Sequence, residues 1–155
     1  MSLPSIDTDA MLEFLTRLLN IPSPTGFAQQ AIDATREALA QFPELSLSQT
    51  RKGALAASWR GEKSDAPRAL TAHVDTLGAM VKEIKPNGRL KLTQLGGWAW
   101  NTVEGEGCTV FTHTGKQVRG SILLAKASGH VYGKDVSESK RDENSMEVRL
   151  DARTN

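Results

Sequence analysis

The sequence predicts the α/β fold class: the start of a mixed, layered helix-and-strand domain followed by a small β-barrel. Three observations predict it. Two helical patterns open the chain, the apolar spacing then changes from helical to alternating, and after Asp75 only short strands with turn signals follow. A length of 155 residues accommodates one ordinary domain or two small ones.

The first helix rests on Met11, Leu12, Phe14, Leu15, Leu18 and Leu19, with Glu13, Thr16, Arg17 and Asn20 on the other side. Asp7, Thr8 and Asp9 offer capping oxygens and negative charge to its first turn. Ile21-Pro22-Ser23-Pro24-Thr25-Gly26 stops it, because proline lacks the amide donor and restricts the residue before it. A second helix places Phe27, Ala31, Ile32, Thr35, Ala38, Leu39 and Phe42 on one face and ends at Pro43.

Leu45 and Leu47 alternating with Ser46 and Ser48 predict a strand, Arg51-Lys52-Gly53 a turn, and Ala54 to Trp59 a second strand. Arg60 to Pro67 is a polar surface loop. Ala69-Leu70-Thr71-Ala72, short and apolar, predicts a buried strand running into His73-Val74-Asp75. Ala79 to Ile84, then Pro86-Asn87-Gly88, then Leu90 and Leu92 predict a hairpin, which Gly96-Gly97 ends. Val110 to Thr112, a turn at Thr114-Gly115-Lys116, and Val118 to Leu124 predict a second one. Trp98 and Trp100 would then share one side of a strand, as core packing, an apolar lid or an interface patch. The charged stretch from Lys134 to Ser145 reads as a solvated loop, and Met146 to Leu150 as a last strand.

Composition excludes several classes. Apolar residues at 39% and charged residues at 24% belong to a globular chain rather than a disordered or collagenous one. Lys and Arg (19) nearly balance Asp and Glu (18), so no broad field for nucleic acid or an anionic membrane is expected. A single cysteine, Cys108, rules out an intrachain disulfide framework. The first residues lack the pattern of a signal peptide, and no stretch approaches the ~20 apolar residues that span a bilayer. A cytoplasmic protein without nucleic-acid or membrane partners is the expectation.

Three histidines are candidates for chemistry: His73, His113 and His130. His73 stands out, because in α/β sheets sites form beyond the carboxyl ends of strands and Asp75 follows two residues later. A neutral imidazole binds a metal through one nitrogen while a carboxylate or carbonyl holds the other. A structural His–Asp pair satisfies the same spacing, and both readings stay open. His113 reads as a hairpin histidine and His130 as a turn histidine that could help shape a site. Cys108 has no signature of a positioned base and reads as a small buried residue. Neither a phosphate loop nor a G-x-S-x-G elbow is present.

The order of these features resembles the N-terminal part of the dinuclear-metal aminopeptidases of the glutamyl and tetrahedral type, some of which were once labelled endoglucanases. The resemblance is carried by Pro22-Ser23-Pro24-Thr25-Gly26 between two helices and by Ala72-His73-Val74-Asp75-Thr76-Leu77-Gly78. Val81 to Ile84, Asn87-Gly88, Leu95-Gly96-Gly97-Trp98, the Thr114-Gly115-Lys116 to Gly120 hairpin and Lys126 to His130 follow in order. The chain looks like a bacterial branch of that family that accompanies synthesis of the osmoprotectant N-acetylglutaminylglutamine amide. Thr76-Leu77 stand where the family often has Glu-Ile, and Ala54 where it often has asparagine.

The resemblance implies a zinc-peptidase-like α/β/α domain begun by residues 1–75, with residues 76–155 forming an inserted, incomplete β-barrel that assembles oligomers and roofs the site. It implies His73 as a ligand to one of two Zn²⁺ or Co²⁺ ions. Asp75 becomes the catalytic-site carboxylate that holds the ligand's geometry without being a primary ligand. Short peptides would be the substrate and a homo-oligomer the assembly. The family's remaining metal ligands and its general base come later than Asn155, so the 155-residue chain is expected to be a truncated, inactive portion. Two other readings remain: a non-catalytic β-barrel binding or assembly module, and glycan hydrolysis. The latter usually needs two carboxylates flanking the scissile bond, and no such pair is identifiable.

Overall fold

A computed structural model describes residues 5–63 and 65–151. The chain divides into two units, Met1–Leu77 and Gly78–Asn155.

The first unit begins with helix α1 (Thr8–Leu19), capped where the Asp7 carboxylate accepts the Ala10 amide at 3.0 Å. Helix α2 (Gln29–Leu39) buries Ala31 completely. It is shorter than its apolar pattern, since Phe27 and Phe42 lie outside its ends. Strands β1 (Leu45–Gln49) and β2 (Leu55–Trp59) pair antiparallel, Leu47 opposite Ala57. Between the helices, the Phe27 amide donates to the Pro24 carbonyl at 2.7 Å, closing a four-residue turn. Gly26 sits at the turn's third position with φ +88°, a backbone region that side chains with a Cβ rarely adopt.

The expected buried strand at residues 69–72 does not form. These residues have no regular structure and Leu70 is fully exposed. A buried strand needs ladder partners on its flanks, and β1 and β2 pair only with each other.

The second unit holds the core. Strands β3 (Gly78–Ile84), β4 (Leu90–Leu95), β5 (Gly107–Phe111), β6 (Gln117–Leu124) and β7 (Met146–Leu150) form one curled antiparallel sheet in the order β3-β4-β7-β6-β5. Alternation in β4, β6 and β7 sends Leu90, Leu92, Ile122, Leu124, Met146 and Val148 to a common buried cluster, with Cys108 and Val110 of β5 packed against it. Burial pushes the Cys108 thiol up from its ordinary value; Arg119 opposes this and Asp151 adds to it. Gly120 lets β6 and β7 approach closely: a Cβ there would lie 2.8 Å from the Arg149 carbonyl and 2.9 Å from Val148 Cγ1.

On the other side of β7, Glu147 is 3% exposed and accepts from Lys85 Nζ at 2.7 Å and from Arg89. Burial raises its carboxyl, and the two cations outweigh that effect, so its pKa lies below the usual glutamate value.

Two expectations are corrected here. Trp98 and Trp100 do not lie on a strand. They stand at a short 3-10 turn (Trp100–Thr102) with ring centroids 4.7 Å apart in an edge-on pair. Trp98 Nε1 donates to the Gly78 carbonyl at 3.0 Å, and Trp100 packs on the core. The stretch Lys134–Ser145 is not simply a solvated loop. After helix α3 (Gly129–Tyr132), it contains helix α4 (Asp135–Glu138) and an anchor at Arg141. The Arg141 guanidinium donates to both Glu104 oxygens, at 2.7 and 3.2 Å, and to the Val136 and Ser139 carbonyls. The Asp142 carboxylate accepts from the Asn144 and Ser145 amides, which lowers its pKa. Arg141 and Asp142 thus tie this stretch down through specific hydrogen bonds.

Candidate metal-ligand site

Residues 73–76 are held by the loop between α1 and α2. Ser23, fully buried, uses both its backbone and its side chain. Its carbonyl accepts the Thr76 amide at 2.9 Å, and its hydroxyl donates to the Val74 carbonyl at 2.7 Å. Pro24 and Thr76 form an isolated parallel bridge. A segment without sheet partners is thereby pinned on both sides of Asp75.

On this support, His73 Nδ1 lies 3.0 Å from Asp75 Oδ1, and Thr25 Oγ1 donates to Asp75 Oδ2 at 3.2 Å. The side chains of His73 and Asp75 are 83% and 46% exposed. A carboxylate opposite Nδ1 favours the tautomer with its proton there, which leaves the Nε2 lone pair available. The pair expected from spacing alone is thus formed, and its chemistry fits one metal ligand with its orienting carboxylate. Among the described residues, no three His, Cys, Asp or Glu side chains come together as a metal-holding group.

The other candidates lie elsewhere. His113 is in the exposed β5–β6 turn and His130 in α3, also exposed. Cys108 faces the core of the second unit. In the sequence, Ser23 and Thr25 read as part of a helix stop. Two hydroxyl residues beside two prolines were the available signal for a fixed loop with donors, but their targets lie about fifty residues away in sequence, at separations of 51 and 50.

The M42 glutamyl aminopeptidase family model matches residues 53–155, and the chain belongs to that family. A relative from Bacillus subtilis (strain 168), named "Putative aminopeptidase YhfE", is 44% identical over 140 residues, which is 90% of this chain and 40% of the relative. The TET aminopeptidase of the marine sediment archaeon Thaumarchaeota archaeon SCGC AB-539-E09 superposes with a TM-score of 0.81 at 24% identity, covering 95% of this chain and 40% of that one. PhTET1-12s, solved as a dodecamer, superposes with a TM-score of 0.72 at 22% identity, covering 92% and 40%. These two likenesses show the shared fold. The chain therefore spans about two fifths of the length of these relatives. Among the described residues, no helix is long and apolar enough to cross a membrane.

Proposed function

We propose that this chain supplies the N-terminal part of a metal-dependent aminopeptidase that removes N-terminal residues from short peptides. The observation that carries the reading is the His73–Asp75 pair, with Nδ1 engaged at 3.0 Å and the ring largely exposed. His73 is the metal ligand through Nε2, and Asp75 fixes the tautomer and orientation of the ring. Two divalent ions, Zn²⁺ or Co²⁺, supply Lewis acidity when bound, lowering the pKa of a water and polarising the scissile carbonyl. A catalytic zinc needs roughly three protein ligands, and among the described residues no three His, Cys, Asp or Glu side chains converge, so the 155-residue chain alone is inactive in this reading.

Residues 1–75 begin the peptidase domain, and residues 76–155 are the inserted barrel through which copies assemble. The dodecameric state of PhTET1-12s supports a homo-oligomer. The single cysteine and the family membership support a cytoplasmic setting.

The test is His73→Ala in a polypeptide of the relatives' length that carries this chain. It should lower metal content and reduce kcat/KM for short peptides by at least about 100-fold. Unchanged turnover overturns the role of His73. Tight binding of two zinc ions by the 155-residue chain itself would overturn the reading that it is only a part of the site.

A further inference from the structure

An exposed contact between imidazole and carboxylate is worth little by itself, because water competes and the carboxylate torsion is broad and nearly two-fold. Asp75 is half-exposed, yet neither of its oxygens is left unengaged. Oδ1 meets His73 Nδ1 at 3.0 Å, and Oδ2 accepts from Thr25 at 3.2 Å. The hydroxyl that fills Oδ2 comes from a fixed loop. Phe27 N–H closes the turn beneath Thr25, and neighbouring Ser23 bonds to both Val74 and Thr76, the residues flanking Asp75.

We infer that Thr25 is a positioning residue: its hydroxyl sets the plane of the Asp75 carboxylate, and through it the tautomer and direction of His73. The consequence for metal binding rests on the proposed role of His73, whereas the tautomer does not. With Oδ2 held, Oδ1 is directed at Nδ1–H, and the imidazole presents Nε2 as a lone pair. Without the hydroxyl, the carboxylate rotates and the ring samples both tautomers. Such outer partners of a ligating histidine typically contribute about 10–100-fold in metal affinity.

The chain has three histidines, so their ring nitrogens can be assigned individually by long-range nitrogen–proton NMR of the labelled 155-residue chain, at a pH where imidazole is neutral. His73 should be predominantly the Nδ1–H tautomer, in contrast to exposed His113 and His130. Thr25→Val should move the His73 nitrogens toward those of His113 and His130, with the remaining amide spectrum unchanged. Thr25→Ser, which keeps the hydroxyl, should restore the wild-type pattern. A threonine that only stabilised the loop would instead disturb the surrounding amides in Thr25→Val. Wild-type His73 nitrogens matching the two reference histidines, or unchanged shifts in Thr25→Val where Asp75→Ala changes them, would overturn the inference.

In the longer polypeptide, zinc affinity should fall about 10–100-fold in Thr25→Val and recover in Thr25→Ser. Unaltered affinity in Thr25→Val together with its loss in His73→Ala would overturn the role of Thr25 alone. Unaltered affinity in His73→Ala would instead overturn the metal reading, while the tautomer measurement still decides the positioning role.

Discussion

Glu147 shows how a charged residue comes to occupy the middle of a sheet. Its neighbours in β7, Met146 and Val148, fill the core on one face, and alternation sends Glu147 to the other, where Lys85 and Arg89 meet it. Its pKa is lower in the folded state than in the unfolded chain. The stabilisation is therefore complete above the ordinary glutamate value, and is lost as pH falls through that value toward the folded one. Urea midpoints should stay level near neutral pH and decline below about pH 4.3. Glu147→Gln should lower stability at neutral pH by roughly 1–3 kcal/mol and flatten the acid decline; an unaltered pH profile would remove Glu147 as its source. His73 and Asp75 were legible as a candidate pair because they stand two apart in sequence. The contacts from Ser23 and Thr25 were not, because they depend on a loop folding back over about fifty residues, and no local periodicity encodes that.

Helices and hairpins were legible where a local rule was sufficient. Asp7 capping α1, the alternation of β1, and the turns after Ile84 and Phe111 all follow from neighbours a few residues apart. Residues 69–72 were misread because a short apolar run satisfies the composition of a buried strand without guaranteeing a partner. The charged stretch Lys134–Ser145 was misread for the opposite reason. Arg141 and Asp142 find specific acceptors and donors, and the Arg141–Glu104 fork joins the stretch to the turn after Trp100. Arg141→Ala should therefore speed amide exchange across residues 133–145 while leaving β6 and β7 protected, since the guanidinium ties the stretch to the Glu104 carboxylate and to the Val136 and Ser139 carbonyls. Equal exchange in the variant and the parent would show that the short helices hold themselves.

Across the whole molecule, burial is unevenly shared. The second unit contains the cluster of six buried apolar side chains, whereas Ala31 and Ser23 are the fully buried residues of the first among those described. Met146→Ala, at a site only 1% exposed, should cost about 2–5 kcal/mol and loosen β4, β6 and β7 together, as read by urea unfolding and amide exchange. A loss confined to β7 would show that the sheet is not one cooperative body. The strand order also could not be inferred from local patterning. Met146 to Leu150 reads as one more short strand, yet it takes the central place and joins the hairpin β3–β4 to the hairpin β5–β6. During synthesis both hairpins leave the ribosome before the strand that unites them. At about 5–20 residues per second, the nascent chain waits for roughly one to several seconds between the end of β6 and the arrival of β7, with two half-sheets displaying the inner sides of Leu90, Leu92, Ile122 and Leu124 to water.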